Sequence, residues 1–572
     1  MSAPLFLPGL TQFLSRLEDY PRLLEAVDQG KQTIALSGLS AVHRAYLAAA
    51  LHQSTGRPLT LVCPDDGEAR RLAGDLSALT GAEVPVLPAR DFLFHPGAAS
   101  RQWEHQRLEI LARLHRGDCP VLVATVEGLL QRTMPPAVFA ASCRQLHVGQ
   151  VCQPEGLTDF LVRAGYTRCD QVEGTGQFAL RGGILDVFSP GLDLPVRMEF
   201  WGDEIDSMGL FDPVTQRRTA QRETCTLLPA GEVLLPQDDP WTGPPDLALG
   251  RVYDQLTTPA DYLPGNALVG LCDTPRVAER AKNYLWQLGQ DITALLEQGL
   301  LTGKPPVLAP AFEALCVGLA PRTLLYLDAF PTGAPPVPPA ALLSFTARQL
   351  SGYGIRFASV TEDLLQYQKE DFAVVLLASS RRKADALQAM LREKRVFSAV
   401  DERLHDLPAP GRITIAVGGL SAGFDFPDGK FAVLAEGEAL PARSPRTAGI
   451  LHRPGPRGPG GPRAPRHRPV CGHGEDAGGR GGPGLHQAAV CRRRHPLRPR
   501  PPAGPGVQIH RRRGRPRAQA PVQAGGHGVG EVQDQGQKGR QGYGQGAHPA
   551  LRPASAAGRP CLCPGHPLAK GL

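Results

Sequence analysis

The residues best placed to do chemistry in this chain lie in SGLSAVHR, residues 37–44, where the apolar run TIALSG at 33–38 ends. In many α/β proteins a nucleoside triphosphate sits at the turn after the first strand. Glycines there let backbone N–H groups cradle the phosphates, a Lys reaches the outer ones, and a Ser or Thr hydroxyl takes magnesium. Between Ser37 and Arg44 stand a single glycine, Gly38, and Ser40, with neither the Lys nor the hydroxyl that should follow it. The loop is therefore read as degenerate, a turn that holds strand to helix, with no ATP hydrolysis and no bound cofactor. Residues 1–440 contain no HExxH metal pair and no CxxC pair of zinc spacing. Asp203, Glu204 and Asp206 are read as a charged turn in preference to a metal cluster. Cys471, His473, Cys491, His495, Cys561 and Cys563 fall where no packed scaffold is expected to hold four zinc ligands, so no metal is expected.

A different chemistry, recognition, is offered by PVRMEFW at 195–201. Period-two alternation puts Val196, Met198 and Phe200 on one face of a strand and Arg197, Glu199 and Trp201 on the other. Arg and Trp are over-represented among interface hot spots, which makes this outer face a partner site. The rival reading leaves Arg197 and Glu199 solvated and has Trp201 close a neighbouring core.

The elements that must position these residues divide the chain. Its 572 residues exceed any single small domain. Residues 31–130 alternate buried-strand runs with helical patterns, the signature of βαβ units and a mainly parallel sheet. WEHQRLEILARLHRG at 103–117 carries Leu108, Ile110, Leu111 and Leu114 on one broad apolar stripe. From 151 to 220 the pattern becomes period two with turn residues, as in GQFALR and GILDVF around Gly182-Gly183, which predicts an antiparallel α+β insertion. Residues 225–335 are proline-rich with one long helix, and 340–440 return to α/β as a small independent domain. No run reaches the roughly 18 apolar residues of a membrane span. The 12 Cys follow no disulfide spacing, so reduced thiols and a cytoplasmic setting are expected.

The net charge of +7 hides a split. Residues 441–572 hold 23 Lys and Arg against 4 Asp and Glu, net +19, and residues 1–440 hold 39 against 51, net −12. The last 132 residues carry 27 Gly, 21 Pro and a single aromatic, Tyr543, with 15 Ile, Leu, Val and Phe in total, too few to offset the ordering entropy of a fold. A disordered tail is expected. It has two readings. As a genuine basic arm it would grip DNA phosphates. As out-of-frame translation of GC-rich coding DNA, with a frameshift near residue 440, it explains the aperiodic mix of Pro, His and isolated Cys. Shifted by one base and allowing for wobble, 525–544 is consistent with GGTEWVKSKTRAKKDVRDMA, which reads as ordinary protein. The frameshift is the preferred reading.

GYTRCDQVEGTGQFALRGGILDVFSP through VRMEFWGDEIDSMGLFDPVTQR, residues 165–217, resembles the bacterial transcription-repair-coupling factors, Mfd, and the matching region of the excision-repair protein UvrB. LPARDFLFHPGAASRQWEHQRLEIL and FAVLAEGEAL extend the resemblance over about 1–440. It implies a parallel-sheet UvrB-like α/β domain (1–145 and 225–338) with an inserted UvrA-binding α+β subdomain (146–224), a small α/β third domain (339–440) and the disordered tail (441–572). It implies that UvrA is bound by two arginines and an aromatic, which by motif match fall on Arg181, Arg197 and Trp201, the Trp standing where the family more often has Phe. It also implies a factor of transcription-coupled nucleotide excision repair that keeps the recruitment module. The RNA-polymerase-binding domain and the ATP- and magnesium-dependent DNA translocase of the intact family would be absent, so this chain is expected not to be an enzyme.

Overall fold

The computed structural model describes residues 7–436 apart from 93, 95–99, 237, 302, 332, 351–356 and 405–407. Every expectation for the basic tail lies outside the described residues. The first βα units form where the apolar runs predict them, with β1 (Thr33–Ser37), β2 (Leu59–Cys63) and β4 (Val121–Thr125), and the sheet adds a two-residue strand that the sequence reading does not find, β3 (Val86–Leu87). β2 and β4 are buried along their whole length, as strands covered on both faces must be. The connecting helices Ala41–Thr55, Asp66–Thr80 and Gln102–Arg116 stop at Gly56, Gly81 and Gly117, each with φ between 65° and 77°. That left-handed C-cap costs glycine nothing.

The chain then leaves this layer. β5 (Arg144–His147) is followed by β6 (Thr167–Arg168), β7 (Gln177–Arg181), β8 (Ile184–Val187), β9 (Val196–Trp201), β10 (Glu204–Phe211), β11 (Arg218–Gln221) and β12 (Thr224–Leu227). β5 and β12 pair antiparallel, Arg144 opposite Leu227, and so close the stem of the insertion. The stem reaches past the expected limits of 146 and 224. The other strands form one sheet in the order β11-β10-β9-β8-β7-β6, antiparallel except for β6 and β7. Its inner face buries Phe178, Leu185, Val196, Met198 and Met208 against Leu157 and Leu161 of the helix Pro154–Arg163.

On returning, the chain adds β13 (Leu268–Cys272), β14 (Thr323–Leu327) and β15 (Ala341–Ser344) to the first sheet, which is parallel throughout in the order β15-β1-β14-β13-β2-β4-β3. The sequence reading of 225–335 finds the long helix, Thr274–Glu297. It does not find β13 and β14, which lie mid-sheet. β15 pairs with β1, so residues past 339 still belong to the first layer.

β16 (Arg348–Leu350), β17 (Ala373–Ala378), β18 (Ser398–Val400), β19 (Ile413–Val417), β20 (Gly423–Phe426) and β21 (Phe431–Leu434) build the last sheet, ordered β16-β20-β21-β17-β19-β18. This part is not independent. Phe424, Phe426 and Phe431 share one buried cluster with Phe13, Tyr46 and Ile34 of the first layer. Phe13 stacks on Phe431 at 3.8 Å between ring centroids, and Tyr46 tilts against both Phe424 and Phe431.

Candidate recognition face and the closed loop

The loop at 37–44 is a joint. The Gly38 and Leu39 amides donate to the carbonyls of Ala329 and Asp328 at 3.2 and 3.1 Å, so these donors are taken by the neighbouring chain. Gly38 is needed for close approach: its φ is +86°, and a Cβ there would fall 1.9 Å from the Phe345 carbonyl oxygen. Ser40 Oγ lies 2.7 Å from His43 Nδ1. The His43 ring is fully buried edge-on to Phe424 and Phe426, and desolvation lowers its pKa to about 4. Arg44, also buried, pairs with Glu68 at 3.2 Å, and Arg276 holds the other Glu68 oxygen at 2.9 Å. GLSAG at 419–423 has the spacing of a nucleophile elbow, a motif that the sequence reading takes to be missing from residues 1–440. Here the Ser421 hydroxyl and amide both donate to Asp75 at 2.6 Å, binding the last sheet to the helix Asp66–Thr80.

The outer face of the insertion is built the other way. The alternation along β9 is as expected: Val196 and Met198 point into the core while Arg197, Glu199 and Trp201 point out. Trp201, beside the turn into β10, is 83% exposed and closes no neighbouring core. Arg181 ends β7 with its side chain 48% exposed. Arg197, expected to be open, is 16% exposed and committed within the sheet. Its Nε and Nη2 donate to the two Asp186 oxygens at 2.7 and 2.8 Å, and its Nη1 and Nη2 to the carbonyl and side-chain oxygens of Gln216 at 3.2 and 3.1 Å. Its guanidinium lies 4.4 Å over the Phe211 ring. The Asp186 hydrogen bond is the main cause raising its pKa. Asp186 is wholly buried and also accepts from Arg181 Nη2 at 2.7 Å. Next to this group Glu199 accepts from Ser207 and pairs with Arg218 at 3.1 Å.

Residues 145–232 match the family model described as the UvrB interaction domain. That span runs from the stem through every strand of the face. The wider chain matches the transcription-repair-coupling factor of Bacillus subtilis at 25% identity over 76% of this chain and 40% of that protein. It matches the one from Myxococcus xanthus at 30% identity over 73% of this chain and 39% of that protein. The chain is a relative of the transcription-repair-coupling factors. It spans about two fifths of their length.

Sequence reasoning brought Arg181, Arg197 and Trp201 to one face but missed Asp186, Gln216 and Phe211, which decide what the arginines can do. A signal for Asp186 exists: it is the lone acid in ILDV, opposite Arg197 in register and out of phase with the inward Leu185 and Val187. Gln216, at φ +61° in the turn after Phe211, has no such signal. Asp203, Glu204 and Asp206 form no cluster: among the described residues no group of three or more His, Cys, Asp or Glu could hold a metal. The eight described cysteines are all free, and no described helix is long and apolar enough to cross a membrane.

Proposed function

We propose that this chain serves transcription-coupled nucleotide excision repair as a cytoplasmic factor that recruits UvrA through the outer face of its inserted sheet. The observation that carries this is Trp201, exposed on the same outer face as a half-exposed Arg181, in the span that matches the UvrB interaction domain. A flat aromatic and a guanidinium fork on one face give a partner an apolar anchor and a bidentate site for a carboxylate. The Trp enlarges the anchor where the family more often has Phe. On this reading the module works without hydrolysing nucleotide, which is supported by the Gly38 and Leu39 amides of the degenerate loop being bonded to Ala329 and Asp328. The alternative reading, in which the tail is a genuine basic arm, makes the chain a DNA-binding accessory protein that grips phosphates.

Titrating UvrA into the full chain by calorimetry tests the reading. Arg181→Ala and Trp201→Ala should each weaken binding by about tenfold or more, the loss expected of a hot-spot side chain. Unchanged affinity in both variants would overturn it. A contribution from the tail would show as a salt dependence of DNA binding with a log–log slope near −0.9 per phosphate contacted.

A further inference from the structure

The outer face carries two arginines and one carboxylate that cannot reach solvent. Asp186 sits on β8 directly opposite Arg197 of β9, and Arg181 approaches it from the end of β7. Between them the two arginines place three donors on its two oxygens, all within 2.8 Å. An unpaired buried carboxylate would be expensive, so this one has to hold its cations. Their situations differ. Of the five N–H donors of a guanidinium, Arg197 uses four on Asp186 and Gln216, and its face is covered by Phe211. Arg181 gives one donor to Asp186 and keeps an exposed head.

We infer that Asp186 is the positioning residue of this face, and that the arginines have separate tasks: Arg197 completes a rigid support, and Arg181 alone presents open donors to the partner. This rests on the recruitment reading for the identity of the partner, but not for the positioning itself. The partner group opposite Arg181 is a carboxylate, since the three residues together leave one positive charge and the open edge of a fork. Anchored on one side, Arg181 loses less side-chain freedom on binding than a free surface arginine would.

The test uses the full chain and two readouts. The rate of phenylglyoxal modification at Arg181, followed by mass spectrometry of its peptide, should rise several-fold in Asp186→Asn; an unchanged rate overturns the positioning role whatever UvrA does. In a binding cycle with UvrA, Asp186→Asn should cost about tenfold in the parent chain and nothing further once Arg181 is Ala. An equal cost in both backgrounds would mean general damage to the sheet and would also overturn the role. If Asp186→Asn fails to fold, Arg197→Lys takes its place: it keeps the charge but loses the fork, and should weaken UvrA less than Arg181→Ala does. A loss as large as that of Arg181→Ala would make Arg197 a direct contact and refute the division of tasks. Should Arg181→Ala leave UvrA binding intact, the recruitment reading falls while the modification rate still decides the positioning.

Discussion

Two regions that sequence reasoning marks out by their charged and polar side chains, the loop at 37–44 and the outer face of the insertion, use arginine in opposite ways. At the loop, Arg44 is enclosed and neutralised by Glu68, and its neighbour His43 lies edge-on to Phe424 and Phe426 of the last sheet. At the face, a buried acid holds one arginine down and keeps another at the surface. The same ion-pair chemistry closes one site and opens the other. What separates them is the second layer: phenylalanines cover the loop, and nothing among the described residues covers Trp201.

The sharpest test of this contrast is aromatic deletion. Phe431→Ala removes the ring stacked on Phe13 and tilted on Tyr46, and should lower stability by about 3–5 kcal/mol in urea unfolding. Trp201→Ala should change it by less than about 0.5 kcal/mol, as surface substitutions do. A loss above about 2 kcal/mol at Trp201 would make that residue part of a core and break the comparison. The next effect is smaller. Glu68→Ala leaves the buried Arg44 only Asp273, at 3.8 Å, while Arg276 keeps Asp65 at 3.1 Å, and should cost about 3 kcal/mol by the same measurement. A neutral result would mean that water reaches the joint.

How far this contrast can be read from sequence depends on the range of the interactions. The βα units of 31–130 are legible because their helices carry their own period and stop at Gly56, Gly81 or Gly117, which leaves the apolar runs between them as strands. β9 is legible because alternation fixes which residues face out. β13 and β14 are not, since a short fully buried strand has no period, and their place in the sheet is set by pairing with strands far away in the chain. The Gly38 amide illustrates the same limit. The missing Lys is visible in the sequence, while the carbonyl of Ala329 that takes the amide lies some 290 residues on and is visible only in the fold. Arg197 was placed on the correct face, but its use was not legible because Asp186 and Gln216 reach it from two other segments.

The joint should also respond to pH, in a direction fixed by Asp75. Burial raises the pKa of this carboxyl to about 6, despite two hydrogen bonds from Ser421 that favour the ionised form. A carboxyl whose pKa is higher folded than unfolded stabilises the fold most when it is protonated. That contribution is complete below the ordinary carboxylate range and is lost as pH rises to about 6 and beyond. The size is on the order of 3 kcal/mol, at about 1.4 kcal/mol per unit. Asp75→Asn keeps an acceptor for Ser421 without the charge, so its urea midpoint should gain on the parent between pH 4 and 7. A parallel pH dependence in the two proteins would show that Asp75 ionises freely, and that the joint is as wet as the face.

The smallest effect is expected at the rim of the face. Arg218 and Glu199 pair at 3.1 Å with both side chains partly exposed, so solvent and salt screen them. Arg218→Ala should cost below about 1 kcal/mol and leave UvrA affinity within about threefold, because a rim charge alters the rate of encounter more than the grip. The two constants can be separated in stopped-flow binding at low and high salt. A slower association that recovers at high salt would place Arg218 in the steering field around Trp201. Faster dissociation would instead extend the Asp186-held support outward to β11, enlarging the rigid part of the face at the expense of its adaptable rim.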